Sequence, residues 1–349
     1  MRQIYILVIV LISSVLGLNA QSTTVVTGLD NPSGILFNNN DMYIAERGGN
    51  KISKIDITAS TPTPASDVVT GLNGSSKMIL IGNELYIAEY DGNKISKIDI
   101  TDPTPVITDV VIGLQGPGEM VLKGNDLYFS QFLGNKISKI DITASIPTTA
   151  TDFITGINEP SGLILNGNDL YVAQWSAGKI SKIDITAPAI IDVIDGLYNP
   201  EGIVLNGNDL YFAENGTGKI SKIDITASTS TRTFVVGGFD GSYGILFNEN
   251  DLYIAEYYGG NVSRFNMPAL SIDENLFSKG IKMSPNPSNN FIRISGLTKT
   301  ENYRIYNAIG LEINKGKISN NEKIYIQNLS NGMYYLNLEN GHTIKFIKK

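Results

Sequence analysis

The chain has 349 residues, 34 Asp/Glu against 27 Lys/Arg, and no cysteine. Disulfides, thiolate metal sites and cysteine nucleophiles are therefore excluded, and stability must come from a core, which a chain of this length can bury. The acidic balance lacks the Lys/Arg footprint that neutralises phosphates, which argues against a nucleic-acid partner.

The first 20 residues read as a secretory signal peptide. Arg2 supplies the positive start, Ile4 to Leu18 is almost wholly apolar, and Leu18-Asn19-Ala20 ends in the small residue that cleavage needs. Polar Gln21 to Thr24 follows too soon for a good membrane span, and no later segment is long and apolar enough to be one.

From residue 22 onward one phrase recurs six times: Met42 to Glu46, Leu85 to Glu89, Leu127 to Gln131, Leu170 to Gln174, Leu210 to Glu214 and Leu252 to Glu256. Its tyrosines lie 43, 42, 43, 40 and 42 residues apart, the spacing of four-stranded propeller blades. Within one copy, Gly34 to Phe37 is a short apolar strand, Asn38 to Asp41 a turn, Met42 to Glu46 a second strand and Lys51 to Thr58 a third. Asp67 to Leu72 is the fourth. Asn166-Gly167 and Asn206-Gly207 give the hairpin signal in other copies. A fourth-type strand, Thr24-Val25-Val26, precedes the first copy, and the last copy lacks one. The N-terminal strand is thus expected to complete the last blade, through pairing of Thr23 to Gly28 with the strand around Val262 to Arg264. The prediction is an all-β chain: a six-bladed β-propeller over 21–269, closed by its N-terminal strand, and a small C-terminal β-sandwich. Charge splits the same way. Residues 21–269 carry 15 basic and 28 acidic residues, and 270–349 carry 11 and 6.

The phrase from Leu210 to Asp224 resembles the repeats of NHL-type propellers, and also virginiamycin B lyase and the wider SMP-30/gluconolactonase-like superfamily. That resemblance covers about 245 residues and implies the fold, not an activity. Virginiamycin-lyase-like enzymes rely on a histidine. The only histidine here is His342, in the tail, so that activity is not carried over.

After a linker at 270–283, residues 284–349 resemble a type IX secretion C-terminal sorting domain of type A. The matching pieces are Pro285-Asn286-Pro287, Phe291 to Ile294, Tyr306-Asn307 with Gly310, Leu329 to Tyr335, and Lys345 to Lys349. Family members usually carry an aromatic residue before Pro-Asn-Pro, where this chain has Ser284. The resemblance implies export across the outer membrane of a Bacteroidota-type bacterium by the type IX machinery. It also implies loss of the tail, and a product secreted or held at the cell surface.

Three constellations could carry chemistry. Glu46, Glu89, Gln131, Gln174, Glu214 and Glu256 recur at one blade position. Oxygen ligands in a ring suit a hard cation such as Ca²⁺ at Glu46, Glu89, Glu214 and Glu256, and equally suit a structural role capping the Gly-rich turn that follows. The lysine pairs from Lys51/Lys54 to Lys219/Lys222 are expected to pair with carboxylates of the Asp56 type on the surface. The residues after the ring differ from blade to blade: Arg47, Tyr90, Phe132, Trp175, Asn215 and Tyr257-Tyr258. Tyr198, Tyr243, Glu119, Glu159 and Glu201 lie in or beside the loops that enter the inner strands. In a propeller these positions share one face, and aromatics among carboxylates there suit a glycan or peptide. The expected ligand-binding residues are Tyr90, Phe132, Trp175, Tyr243, Tyr257, Tyr258 and Glu201. The leading expectation is a binding propeller with no catalytic residues. The alternatives are a metal-dependent gluconolactonase-like hydrolase or lyase, and a structural scaffold of a surface complex.

Overall fold

A computed structural model describes residues 22–267, apart from 61 and 63, and residues 282–349, apart from 298, 308–311 and 339–342. The signal peptide expectation lies outside the described residues, as does the expected linker apart from Lys282 and Met283, which open a strand of the second unit. The chain divides into two compact units, with the division after Met267.

The first unit consists of six four-stranded antiparallel sheets. After β1 (Thr23–Thr27), blade 1 is β2 (Pro32–Asn38), β3 (Asp41–Glu46), β4 (Lys51–Asp56) and β5 (Ser66–Thr70). Blade 2 is β6 (Ser75–Ile81), β7 (Glu84–Glu89), β8 (Lys94–Asp99) and β9 (Thr108–Ile112). Blade 3 is β10 (Pro117–Lys123), β11 (Asp126–Gln131), β12 (Lys136–Asp141) and β13 (Thr151–Thr155). Blade 4 is β14 (Pro160–Asn166), β15 (Asp169–Gln174), β16 (Lys179–Asp184) and β17 (Ile190–Ile194). Blade 5 is β18 (Pro200–Asn206), β19 (Asp209–Glu214), β20 (Lys219–Asp224) and β21 (Thr233–Gly237). Blade 6 is β22 (Ser242–Asn248), β23 (Asp251–Glu256) and β24 (Asn261–Asn266), with β1 as its fourth strand.

The β1–β24 seam pairs Thr23 with Arg264, Thr24 with Ser263, Val26 with Val262 and Thr27 with Asn261, as the unmatched strands predicted. The inner strands neighbour one another in order, and β22 returns to β2. They approach closely. A Cβ added at Gly202 would lie 2.3 Å from the Tyr243 carbonyl oxygen, and one at Gly162 would lie 2.3 Å from that of Glu201. Glycine is therefore required at these two positions, where the neighbouring backbone leaves no room for a Cβ.

Both faces of the second strand are buried, because each blade packs between two others. The recurrent tyrosine crosses that gap. Tyr43 packs with Leu85, Ile87 and Ile98 of the next blade, and Tyr211 packs with Leu252 and Ile254. Ala45, Ala88, Ala173, Ala213 and Ala255 are fully buried beside them. The hairpin between inner and second strands turns on left-handed residues: Gly167 and Gly207 in the Asn-Gly copies, Asn39 and Glu249 in the first and last.

The second unit has two sheets, β25 (Lys282–Ser284), β26 (Phe291–Ser295) and β29 (Lys323–Tyr325) in one, and β27 (Glu301–Asn307), β28 (Glu312–Ile318), β30 (Gly332–Leu338) and β31 (Thr343–Lys348) in the other. Ile292, Ile294, Ile305, Leu336 and Phe346 form its core. Asn286, at the centre of Pro-Asn-Pro, accepts from the Ile347 amide and donates to the Lys345 carbonyl. The Pro-Asn-Pro segment thus pins the final strand.

Candidate functional site

The recurrent carboxylates are structural bridges. Glu46 accepts from the Asp30 amide at 2.8 Å and from the Ser53 hydroxyl at 2.5 Å. Glu89, Glu214 and Glu256 repeat that pair of bonds with Asn73, Tyr198 and Asp240 and with Ser96, Ser221 and Ser263. In the two Gln blades the proton runs the other way. Gln131 and Gln174 donate to Ser138 and Ser181, and those hydroxyls donate onward to Asp152 and Asp192. Each member thus ties its inner-strand loop to the third strand of its own blade, and all six are nearly inaccessible. The geometry does not bring Glu46, Glu89, Glu214 and Glu256 together. Among the described residues no three His, Cys, Asp or Glu side chains are grouped to hold a metal ion.

The lysine pairing differs from expectation. Lys54, Lys139, Lys182 and Lys222 bridge to Asp41, Asp126, Asp169 and Asp209 across the strand pair, not to the Asp56 type. Asp56 and its equivalents instead accept from a threonine two residues on, as Thr58 does through both amide and hydroxyl. The Asp-Ile-Thr turn uses that carboxylate locally, so it is not available across the sheet.

The varied positions converge. Each residue after the ring has its amide bonded to the loop entering the inner strand: Arg47 to Asn31, Tyr90 to Gly74, Phe132 to Gly116, Trp175 to Glu159, Asn215 to Asn199 and Tyr257 to Gly241. This stitching holds six side chains around one end of the axis. There a cavity of about 200 Å³ is lined by the loop residues Arg47, Tyr90, Phe132 and Trp175, by the inner-strand residues Lys77, Glu201 and Tyr243, and by Ser33, Ser76 and Ser161. Tyr90 and Phe132 lie 6.0 Å apart, and Phe132 and Trp175 6.1 Å, so an aromatic wall runs across blades 2 to 4. Arg47 covers the outer face of Tyr90 at 3.9 Å and pairs with Asp91 at 2.8 Å.

Five expected residues, Tyr90, Phe132, Trp175, Tyr243 and Glu201, therefore line one cavity. Tyr257 stands behind it, stacked on Tyr243 at 4.3 Å. Tyr258 points outward and is exposed, packing edge-on to Tyr257. Tyr198 is also exposed.

The floor breaks the repeat. At the third inner-strand position four blades have Gly34, Gly162, Gly202 and Gly244, while blades 2 and 3 have Lys77 and Glu119. At the second position Ser33, Ser76, Gly118 and Ser161 give way to Glu201 and Tyr243 in blades 5 and 6. Lys77 is buried, and its Nζ has no hydrogen-bond partner. The nearest carboxylate oxygen is Glu119 Oε2 at 3.7 Å, an ion-pair separation beyond hydrogen-bond length. Burial pushes the Glu201 carboxyl up to about 7; Lys77 pulls it down and Glu119 adds to the rise. Burial likewise raises Tyr243 well above the ordinary phenol range, with the Glu201 charge reinforcing it, so its hydroxyl stays protonated. Lys77 was missed by reading the variable loops alone; comparing the third inner-strand position across all six copies would have exposed it.

Residues 282–349 match the model of a family described as a secretion system C-terminal sorting domain. This agrees with the tail motifs and marks a secreted or cell-surface protein that engages the secretion machinery. Among the described residues no helix is long and apolar enough to cross a membrane. No curated protein matches the chain. Its fold is similar to a streptogramin B lyase (TM-score 0.53, 16% identity, covering 70% of this chain and 96% of that one). It is also similar to a catalytically inactive virginiamycin B lyase from Staphylococcus aureus solved with quinupristin (0.52, 17%, 70% and 97%). A PQQ-bound aldose sugar dehydrogenase from Streptomyces coelicolor is a third relative in shape (0.54, 13%, 70% and 98%). At these identities the likeness establishes the propeller fold alone.

Proposed function

We propose that this exported propeller binds an extracellular ligand, a glycan or a peptide, in the cavity at the variable-loop end of its axis. One observation carries the reading. Seven residues that depart from an otherwise uniform repeat, Arg47, Lys77, Tyr90, Phe132, Trp175, Glu201 and Tyr243, line a single cavity with aromatic walls and buried charged groups. A concave site with apolar walls and a few convergent polar groups is what a small binding site requires.

Trp175 is the only tryptophan, so its emission reports on the cavity. A glycan and peptide panel is expected to shift that emission for a true ligand, and Trp175→Ala to weaken binding by about 1–3 kcal/mol. A panel that leaves Trp175 emission unchanged, with calorimetry equally silent, would count against binding at this face.

A further inference from the structure

Within that reading, and resting on it, we infer that the cavity takes one uncharged sugar ring at the end of a glycan, held between Lys77 and Glu201 and stacked on the aromatic wall. The size comes first. At about 200 Å³ the space is below the roughly 300–1,000 Å³ of a typical ligand pocket. It admits one pyranose unit and not a run of them. It is a pit on the axis, so a chain would enter by its end.

The polar floor gives the chemistry. Lys77 and Glu201 belong to blades 2 and 5, which oppose each other across a six-membered ring. Both are more than nine-tenths buried, at 5% and 7% exposure, and both line the cavity. The Lys77 ammonium has three donors and no hydrogen-bonded acceptor. The serines between them have already used their protons. Ser33 donates to the Ser76 carbonyl, Ser76 to those of Ala88 and Pro117, and Ser161 to that of Pro200. Their oxygens offer lone pairs only. The site thus presents a strong donor at Lys77, acceptors at the serines, and at Glu201 a carboxyl that accepts when ionised and also donates when protonated. A hydroxyl both accepts and donates, so a ring carrying several can satisfy Lys77 and Glu201 together.

Charge selects a neutral ligand. Arg47 is bound to Asp91, and Lys77 faces Glu119 as well as Glu201. An added carboxylate would meet the buried Glu201, while Glu119 already faces Lys77 from outside the lining, and an added ammonium would meet Lys77. A like charge in such a space costs more than a hydroxyl. The C–H face of a pyranose is apolar and complements Phe132 and Trp175.

The test uses the full chain and a defined panel. It comprises methyl pyranosides of glucose, galactose, mannose and N-acetylglucosamine, linear oligomers of each, glucuronate and galacturonate, glucosamine, and short peptides. Trp175 emission and calorimetry are the readouts. At least one neutral methyl pyranoside is expected to bind. Its oligomer should bind within about threefold of it, because further units lie outside the pit. The charged counterpart should be at least about tenfold weaker. Lys77→Met should lose at least about tenfold of that affinity. Glu201→Met provides an independent route if Lys77→Met is poorly folded, and should lose a similar factor while melting like the parent or higher. Preference for uronate or glucosamine overturns the neutral-ligand inference. Binding that strengthens with each added sugar overturns the single-ring pit. Binding by peptides alone overturns the sugar assignment but leaves ligand binding at this face standing. Silence from every probe defeats both.

Discussion

Glu201 shows how much one position can differ when four of its five equivalents stay small. Four of them are Ser or Gly, and at Glu201 the same backbone carries a carboxyl out of water. With its pKa near 7 against an ordinary 4.5, the folded chain keeps a proton between those values that the unfolded chain has released. Stability linked to this group is therefore present at low pH and lost as pH rises through that window. The charged groups around it are Lys77, Glu119 and Arg47, and only the first and last favour ionisation. Glu201→Gln removes the titration. Its stability relative to the parent should climb between pH 5 and pH 8 by up to about 3 kcal/mol. Denaturant melts at the two pH values measure this, and a pH-independent difference would place Glu201 in a wetter setting. The loop aromatics could be read from the sequence because they follow a marked position in each copy and differ there. Lys77 could not be read that way. It stands inside Ser75–Ile81, where a lysine in an apolar strand resembles a residue pointing to solvent, and only the glycines at the same place in other blades show that it faces the axis.

At the scale of the element, the strands and their order followed from period and turn chemistry, because each copy must bury both faces between neighbours. The roles of the repeated carboxylates did not follow, since two oxygens in a ring read alike whether they hold an ion or an amide. The Ser one strand over decides it. Closure is the element-level property most open to test. Val25 and Val26 are buried in β1, each contributing about 1.5–3 kcal/mol. Removing residues 21–29 would delete them together with the four cross-strand pairs of the seam and leave β24 as a raw edge. The melting temperature should fall by roughly 10 °C or more. A deletion variant that melts with the parent would mean that the seam holds nothing.

The whole molecule joins an acidic propeller to a basic tail. The tail is a sorting domain, and its final strand is fixed by Asn286 through bonds to Lys345 and Ile347. Truncating Lys345–Lys349 removes most of β31, including its buried Phe346. Export should then fail while the propeller accumulates in the cell, as fractionation would show; undiminished export would separate the tail from its assigned role. Intact mass of the exported product is expected to end near residue 276, and a mass that includes Lys349 would rule out removal of the tail.

The seam between β1 and β24 also sets a timetable. Thr24 meets Ser263, so the first strand to be made must wait for almost the last residue of the propeller before it finds its place. Until then every partial chain is an open arc with two unsatisfied ends, and loop closure over that distance is slow. Once β24 is in place the ring can close as one late event, and a broken or truncated chain advertises itself by the edges it cannot cover.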